Sequence, residues 1–160
     1  MVKDLLYGQR AVSNFCIAAE RGKLSPRHVR DILRHKSRDI DIEPIVPLLQ
    51  SDDPWIRKCV AQIVGAFGGN QKSLIEAAKC EDDRDVLLEL LKQLVSTKEG
   101  LEEMVYLLES EDKAVKQSGI DMFRKAGRAD CLMGLLFDDD DELVSRIKRY
   151  MNEQDNKEVS

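Results

Sequence analysis

An acidic turn that returns every 28 to 30 residues is the feature that most limits what this chain can fold into. Asp53-Pro-Trp-Ile-Arg57, Asp83-Arg-Asp-Val-Leu87, Asp112-Lys-Ala-Val-Lys116 and Asp140-Asp-Glu-Leu-Val144 each carry an acid, two variable residues and an aliphatic side chain. The aliphatics Ile56, Val86, Val115 and Leu143 stand 30, 29 and 28 residues apart. A period of this length belongs to units that cannot bury an apolar face alone and must stack on their neighbours.

Each turn is followed by a helical pattern. Ile56, Cys59, Val60, Ile63 and Phe67 recur at steps that put them on one helix face, as do Val86, Leu90, Leu91 and Leu94. Val115, Gly119, Met122 and Phe123 make the third such face, and Leu143, Ile147, Tyr150 and Met151 the fourth. Shorter apolar segments precede the turns, over 43–50, 71–80, 100–110 and 128–137. In three units the aliphatic pattern returns seven residues later (Leu49 to Ile56, Leu108 to Val115, Leu136 to Leu143), while Lys79 breaks it in the second. The acids have a local purpose. Asp53 before Pro54 reads as an N-cap with proline at the first helical position, and Asp83, Asp112 and Asp140 suit the other N-termini. Ser96 and Glu99 are spaced as a capping box for the next helix. Short polar turns fold each pair back antiparallel.

Aromatics are 5% of the chain and hydrophobic residues 42%, so the core is aliphatic, which favours helix on helix. The 34% of charged residues implies a thin structure with much surface. No segment approaches the roughly 18 apolar residues that span a membrane, and no cleavable signal peptide is apparent. Cys16, Cys59, Cys80 and Cys131 form no CxxC pair and read as free thiols, with the cytoplasm the expected compartment. With Met1 at its start and a polar end over 152–160, the chain is expected to be a whole gene product.

Asp53-Pro-Trp-Ile-Arg57, followed by Ala61 and Gly65-Ala-Phe-Gly68, resembles the HEAT-repeat pattern D-P-x-V-R-x-x-A-x-x-A-L-G. The short period is similar to the compact HEAT-like repeats of phycobilisome lyases. Leu87, Lys116 and Val144 stand at the arginine position of the later units. The resemblance covers residues 43–153 and implies an all-α, right-handed α-α superhelix. It also implies a structural role for Arg57, hydrogen-bonded to acids of adjacent turns, beside Asp53 and Pro54. Residues 1–40 supply a divergent cap pair, with one helix over 4–20 ended by Gly22 and a second opened by Ser25-Pro26. About five antiparallel pairs result, in one domain over 1–153 followed by a disordered polar tail over 154–160.

A basic head sits on an acidic body. Residues 1–40 hold nine Lys/Arg against four Asp/Glu, and residues 41–160 hold 16 against 26. Arg27, Arg30, Arg34 and Arg38 fall within about 80° on a helical wheel, opposite Val29, Ile32 and Leu33. Such a row contacts phosphates or an acidic protein, or is a solvated face that Asp31 partly neutralises. Trp55 either packs on the neighbouring unit or anchors a partner. The second helices of a solenoid usually line its concave face, and here they carry Lys58, Gln62, Glu89, Lys92, Gln117, Asp121, Arg146 and Arg149. Their mixed signs suit a protein partner. His28 and His35 lack a third metal ligand, and the run at 138–142 lacks the spacing of a calcium loop, so no metal and no cofactor are expected. No nucleophile triad, phosphate loop or zinc-protease motif is present. The reading is a non-catalytic scaffold or adaptor that binds protein. Nucleic-acid association through the basic helix is the alternative, opposed by a pI near 5.2. A lyase or DNA glycosylase stands behind both.

Overall fold

The structure is a computed structural model that describes residues 2–95, 100, 112–125, 132–133, 136–137, 139 and 141–158. It is all-α, and the described residues include no strand. They form two compact units, Met1–Gln93 and Leu94–Ser160. In the first unit packing is mostly between helices close in the chain.

The first unit holds α1 (Val2–Glu20), α2 (Pro26–Leu33), a 3-10 helix η1 (Val46–Gln50), α3 (Pro54–Phe67), α4 (Gln71–Cys80) and all but the last residue of α5 (Arg84–Leu94). α1 buries Val12, Phe15, Ala18 and Ala19. It stops at Gly22, whose φ of 62° is costly for a residue with a Cβ. There Gly22 N–H donates to Ala19 and Lys23 N–H to Ala18, the paired bonds of a glycine C-cap. Pro26 opens α2 behind Ser25, and Val29 and Ile32 turn inward. α3 is the centre of the unit, packed on α2, η1 and α4, with Ile56, Cys59, Val60, Ala61, Ile63 and Val64 buried. Gly68, at φ 73°, ends it.

Three of the four acidic caps lie within the described residues and all three accept backbone bonds. Asp53 takes Trp55 N–H at 2.9 Å. Asp83 takes Asp85 and Val86 at 2.9 and 3.0 Å, and Asp112 takes Ala114 and Val115 at 2.8 and 3.3 Å. Asp140, the Ser96 and Glu99 box, the helix expected over 100–110 and most of that over 128–137 lie outside the described residues. Short 3-10 turns occur at 132–133 and 136–137.

The second unit holds α6 (Lys113–Lys125) and α7 (Asp141–Glu158). α6 buries Val115, Gly119, Ile120 and Phe123. Lys113 pairs with Glu142 at 3.0 Å, and Arg146 donates to Gln117, so two bonds join α6 to α7 at a separation of 29 residues each. In the first unit Gln62 and Gln93 both donate to the Glu89 carboxylate, which joins α3 to α5.

Three segments depart from expectation. Residues 43–50 form a turn and the short η1 in place of an α-helix, because Pro44 and Pro47 lack the N–H that α-helical bonds need. α2 stops at Leu33, well short of Arg38. The chain then bends so that Ile40 and Ile42 are buried, and Gln9 clamps the Asp41 backbone through bonds of 2.9 and 3.1 Å. α7 runs through Glu158, where a disordered tail was expected from 154, since no glycine or proline interrupts it.

Gly8 is where α1 meets this bend. A Cβ there would lie 2.6 Å from Ile40 Cγ2 and 3.2 Å from the His35 ring. Gly8→Ala therefore destabilises the fold by about 1–3 kcal/mol through overpacking. The same change in an open helix would stabilise by about 1 kcal/mol. Thermal melts of the two proteins check the sign.

Candidate functional site

A groove of about 970 Å³ runs between α1 and α2 in the first unit. Six cations line it: Arg10 and Arg21 from α1 and its C-terminus, Lys23 from the turn, and Arg27, Arg34 and Arg38 from α2 and the residues after it. Asp4 and Asp31 are the carboxylates in its lining. Tyr7, Arg10, Asn14, Ile17 and Arg21 follow at three- and four-residue steps along one side of α1, opposite the side that carries Val12, Phe15 and Ala19.

The arginine row expected on α2 is divided by the structure. Arg27 and Arg34 both approach Asp31, at 3.8 and 3.4 Å. Arg38 lies beyond the helix, off the wheel that grouped it with the others, and meets Asp4 at 3.1 Å. Arg30 is exposed and stands outside the groove lining. These pairs are open to solvent, with Arg27 at 81% and Arg34 at 74% side-chain exposure, so each is worth about 0–1 kcal/mol. Among the described residues no carboxylate reaches ion-pair distance of Arg10, Arg21 or Lys23. The least neutralised charge thus lies on the α1 side. Sequence reasoning missed it by treating the basic helix alone, although Arg10, Asn14, Ile17 and Arg21 carried a legible helical step.

The turn at the groove's end is held from outside. Trp55 Nε1 donates to Leu24 O at 3.1 Å, between Lys23 and Ser25, while 41% of the residue stays exposed. Ser25 N–H donates to His28 Nδ1 at 3.1 Å, which fixes the first turn of α2. His35 also lines the groove, and its Nδ1 is buried without a hydrogen-bond partner.

The second-helix positions are more occupied than their sequence suggested. Glu89 is buried and bonded to Gln62 and Gln93, and Gln117 to Arg146. Lys92 and Arg149 are exposed and Lys58 is half-buried. Arg57 is structural in its contacts. Its Nε and Nη2 donate to the two Glu81 oxygens, both at 2.8 Å, and its Nη1 to Ser51 O at 2.7 Å. Glu81 accepts Asp83 N–H as well. One guanidinium therefore ties the turn before α3 to the turn before α5, and the Glu81 bonds hold its pKa above the usual arginine value.

Among the described residues no group of three His, Cys, Asp or Glu side chains is placed to hold a metal ion. No described helix is long and apolar enough to cross a membrane. Cys16, Cys59 and Cys80 are free, and Cys131 lies outside the described residues. Burial pushes the Cys59 thiol up to about 11, while Cys80 is exposed. A thiol reagent near neutral pH should modify Cys80 in the native protein and reach Cys59 only after denaturation. Peptide mapping by mass spectrometry checks the order.

Compared with protein-family models and with curated protein sequences, the chain matches none.

Proposed function

We propose that the chain is a non-catalytic binding module, a scaffold or adaptor for a protein partner, built as a HEAT-like α-α superhelix of about five helix pairs. The acid-capped turns, the Arg57 tie between turns and the side-chain bonds at near-repeat spacing support the architecture. One observation carries the function. The α1/α2 groove combines three exposed cations that have no carboxylate at ion-pair distance among the described residues, Arg10, Arg21 and Lys23, with exposed apolar side chains, Tyr7 at 59% and Ile17 at 45%. Solvated charge alone needs no apolar neighbours, whereas a protein interface uses both. The cytoplasm fits the free thiols.

The six groove cations also favour a second reading, association with nucleic acid. Capture from native lysate with and without nuclease separates the two. A protein retained in both samples is the expected result. Capture that disappears with nuclease would replace this reading with the second.

A further inference from the structure

We infer that the α1/α2 groove seats an acidic amphipathic helix of another protein, an inference that rests on the binding-module reading and names its partner's chemistry. Length, charge and relief agree. From Tyr7 to Arg21 the groove wall on α1 extends about 21 Å, or roughly 14 residues of a partner helix laid alongside. Arg10 and Arg21 stand about 16 Å apart on it, with Lys23 just beyond. None of these three has a carboxylate within ion-pair distance among the described residues. Carboxylates three turns apart on one helix face would meet both ends.

Between the charged ends the wall is apolar and low. Ile17 is exposed between Asn14 and Arg21, and Tyr7 is exposed at the other end. Ala11 and Ala18 line the groove between them. Small side chains let a second helix approach closely, and Ile17 offers a contact to its apolar stripe. A partner helix thus needs an acidic face beside an apolar one.

The same features disfavour a nucleic-acid backbone. A continuous polyanion along this groove would pass Asp4 and Asp31, exposed at 52% and 36%. It gains nothing from the aliphatic Ile17.

The test uses the full chain and fluorescent probes. One probe is a peptide of about 16 residues with leucine at every third or fourth position and glutamate elsewhere, long enough to cover the wall. Its controls are the same peptide with glutamine for glutamate, a scrambled sequence of equal charge, and a single-stranded and a duplex oligonucleotide. The acidic helix should bind at least about tenfold more tightly than the glutamine version near 50 mM salt, and raising salt should narrow the gap. Replacing Arg10, Arg21 and Lys23 together with Gln should remove about tenfold or more and flatten the salt dependence. Ile17→Ser should weaken the acidic helix and leave any oligonucleotide binding unchanged. All four sites are exposed, and circular dichroism confirms that each variant stays folded. Equal binding of the scrambled peptide would overturn the helical part of the inference. Tighter, Arg10- and Arg21-dependent binding of an oligonucleotide would overturn its choice of partner. A chain that ignores the acidic helix yet still captures a protein from lysate would sink this inference and leave the binding-module reading standing.

Discussion

Arg57→Ala is expected to destabilise the first unit by about 3–5 kcal/mol, the cost of removing one partner of a buried ion pair. The Glu81 side chain is 3% exposed and takes two of its bonds from Arg57. Truncation leaves that carboxylate buried with the Asp83 N–H as its remaining donor in the turn, and frees the Ser51 carbonyl as well. Arg57→Lys keeps a charge but loses the planar fork, so its loss should fall between parent and alanine. Urea denaturation of the three proteins gives the order. An alanine variant as stable as the parent would mean that the tie between the turns contributes nothing.

Leu90→Ala is the second large effect, about 2–5 kcal/mol. Leu90 is 1% exposed on α5, in a row with Val86, Leu91 and Leu94, all buried. Removing three carbons there leaves a void lined by aliphatic groups that cannot all move to fill it. The loss should appear in the denaturation midpoint, with helix content at low temperature unchanged. A smaller loss than about 1 kcal/mol would show that the α5 face collapses around the change.

Much of this arrangement was legible in the sequence because it is local. Asp53, Asp83 and Asp112 cap the helices that follow them, and α4 spans the segment that its apolar spacing marked. Gly22 and Gly68 end helices because the left-handed turn needs them. Phase was readable to within a residue or two. In α6 it is Ile120 that is buried, with Met122 half-exposed, so the buried face is turned toward Ile120 relative to the one expected.

What was not legible depends on two segments at once. Pro44 and Pro47 were in view, yet the bend that brings Ile40 against Gly8 and clamps Asp41 to Gln9 has no signature in either segment alone. That bend takes Arg38 off α2 and hands it to Asp4. The groove has the same character. Its α2 wall was read as a row of arginines, but its α1 wall, with Arg10, Ile17 and Arg21, acquires meaning only once the two helices stand side by side. The polar row on the second helices misled for the converse reason: Glu89 looks like surface in sequence and is buried by bonds to Gln62 and Gln93.

Quantitative capture from nuclease-treated native lysate tests the central claim most directly, with three baits compared side by side. The baits are the parent, the Arg10→Gln, Arg21→Gln, Lys23→Gln variant, and a Lys58→Gln, Lys92→Gln variant on α3 and α5. A protein should be enriched on the parent, kept by the Lys58 and Lys92 variant, and reduced about tenfold or more on the groove variant. Retention by the groove variant with loss from the Lys58 and Lys92 variant would contradict that claim, and would move the binding surface to the second helices.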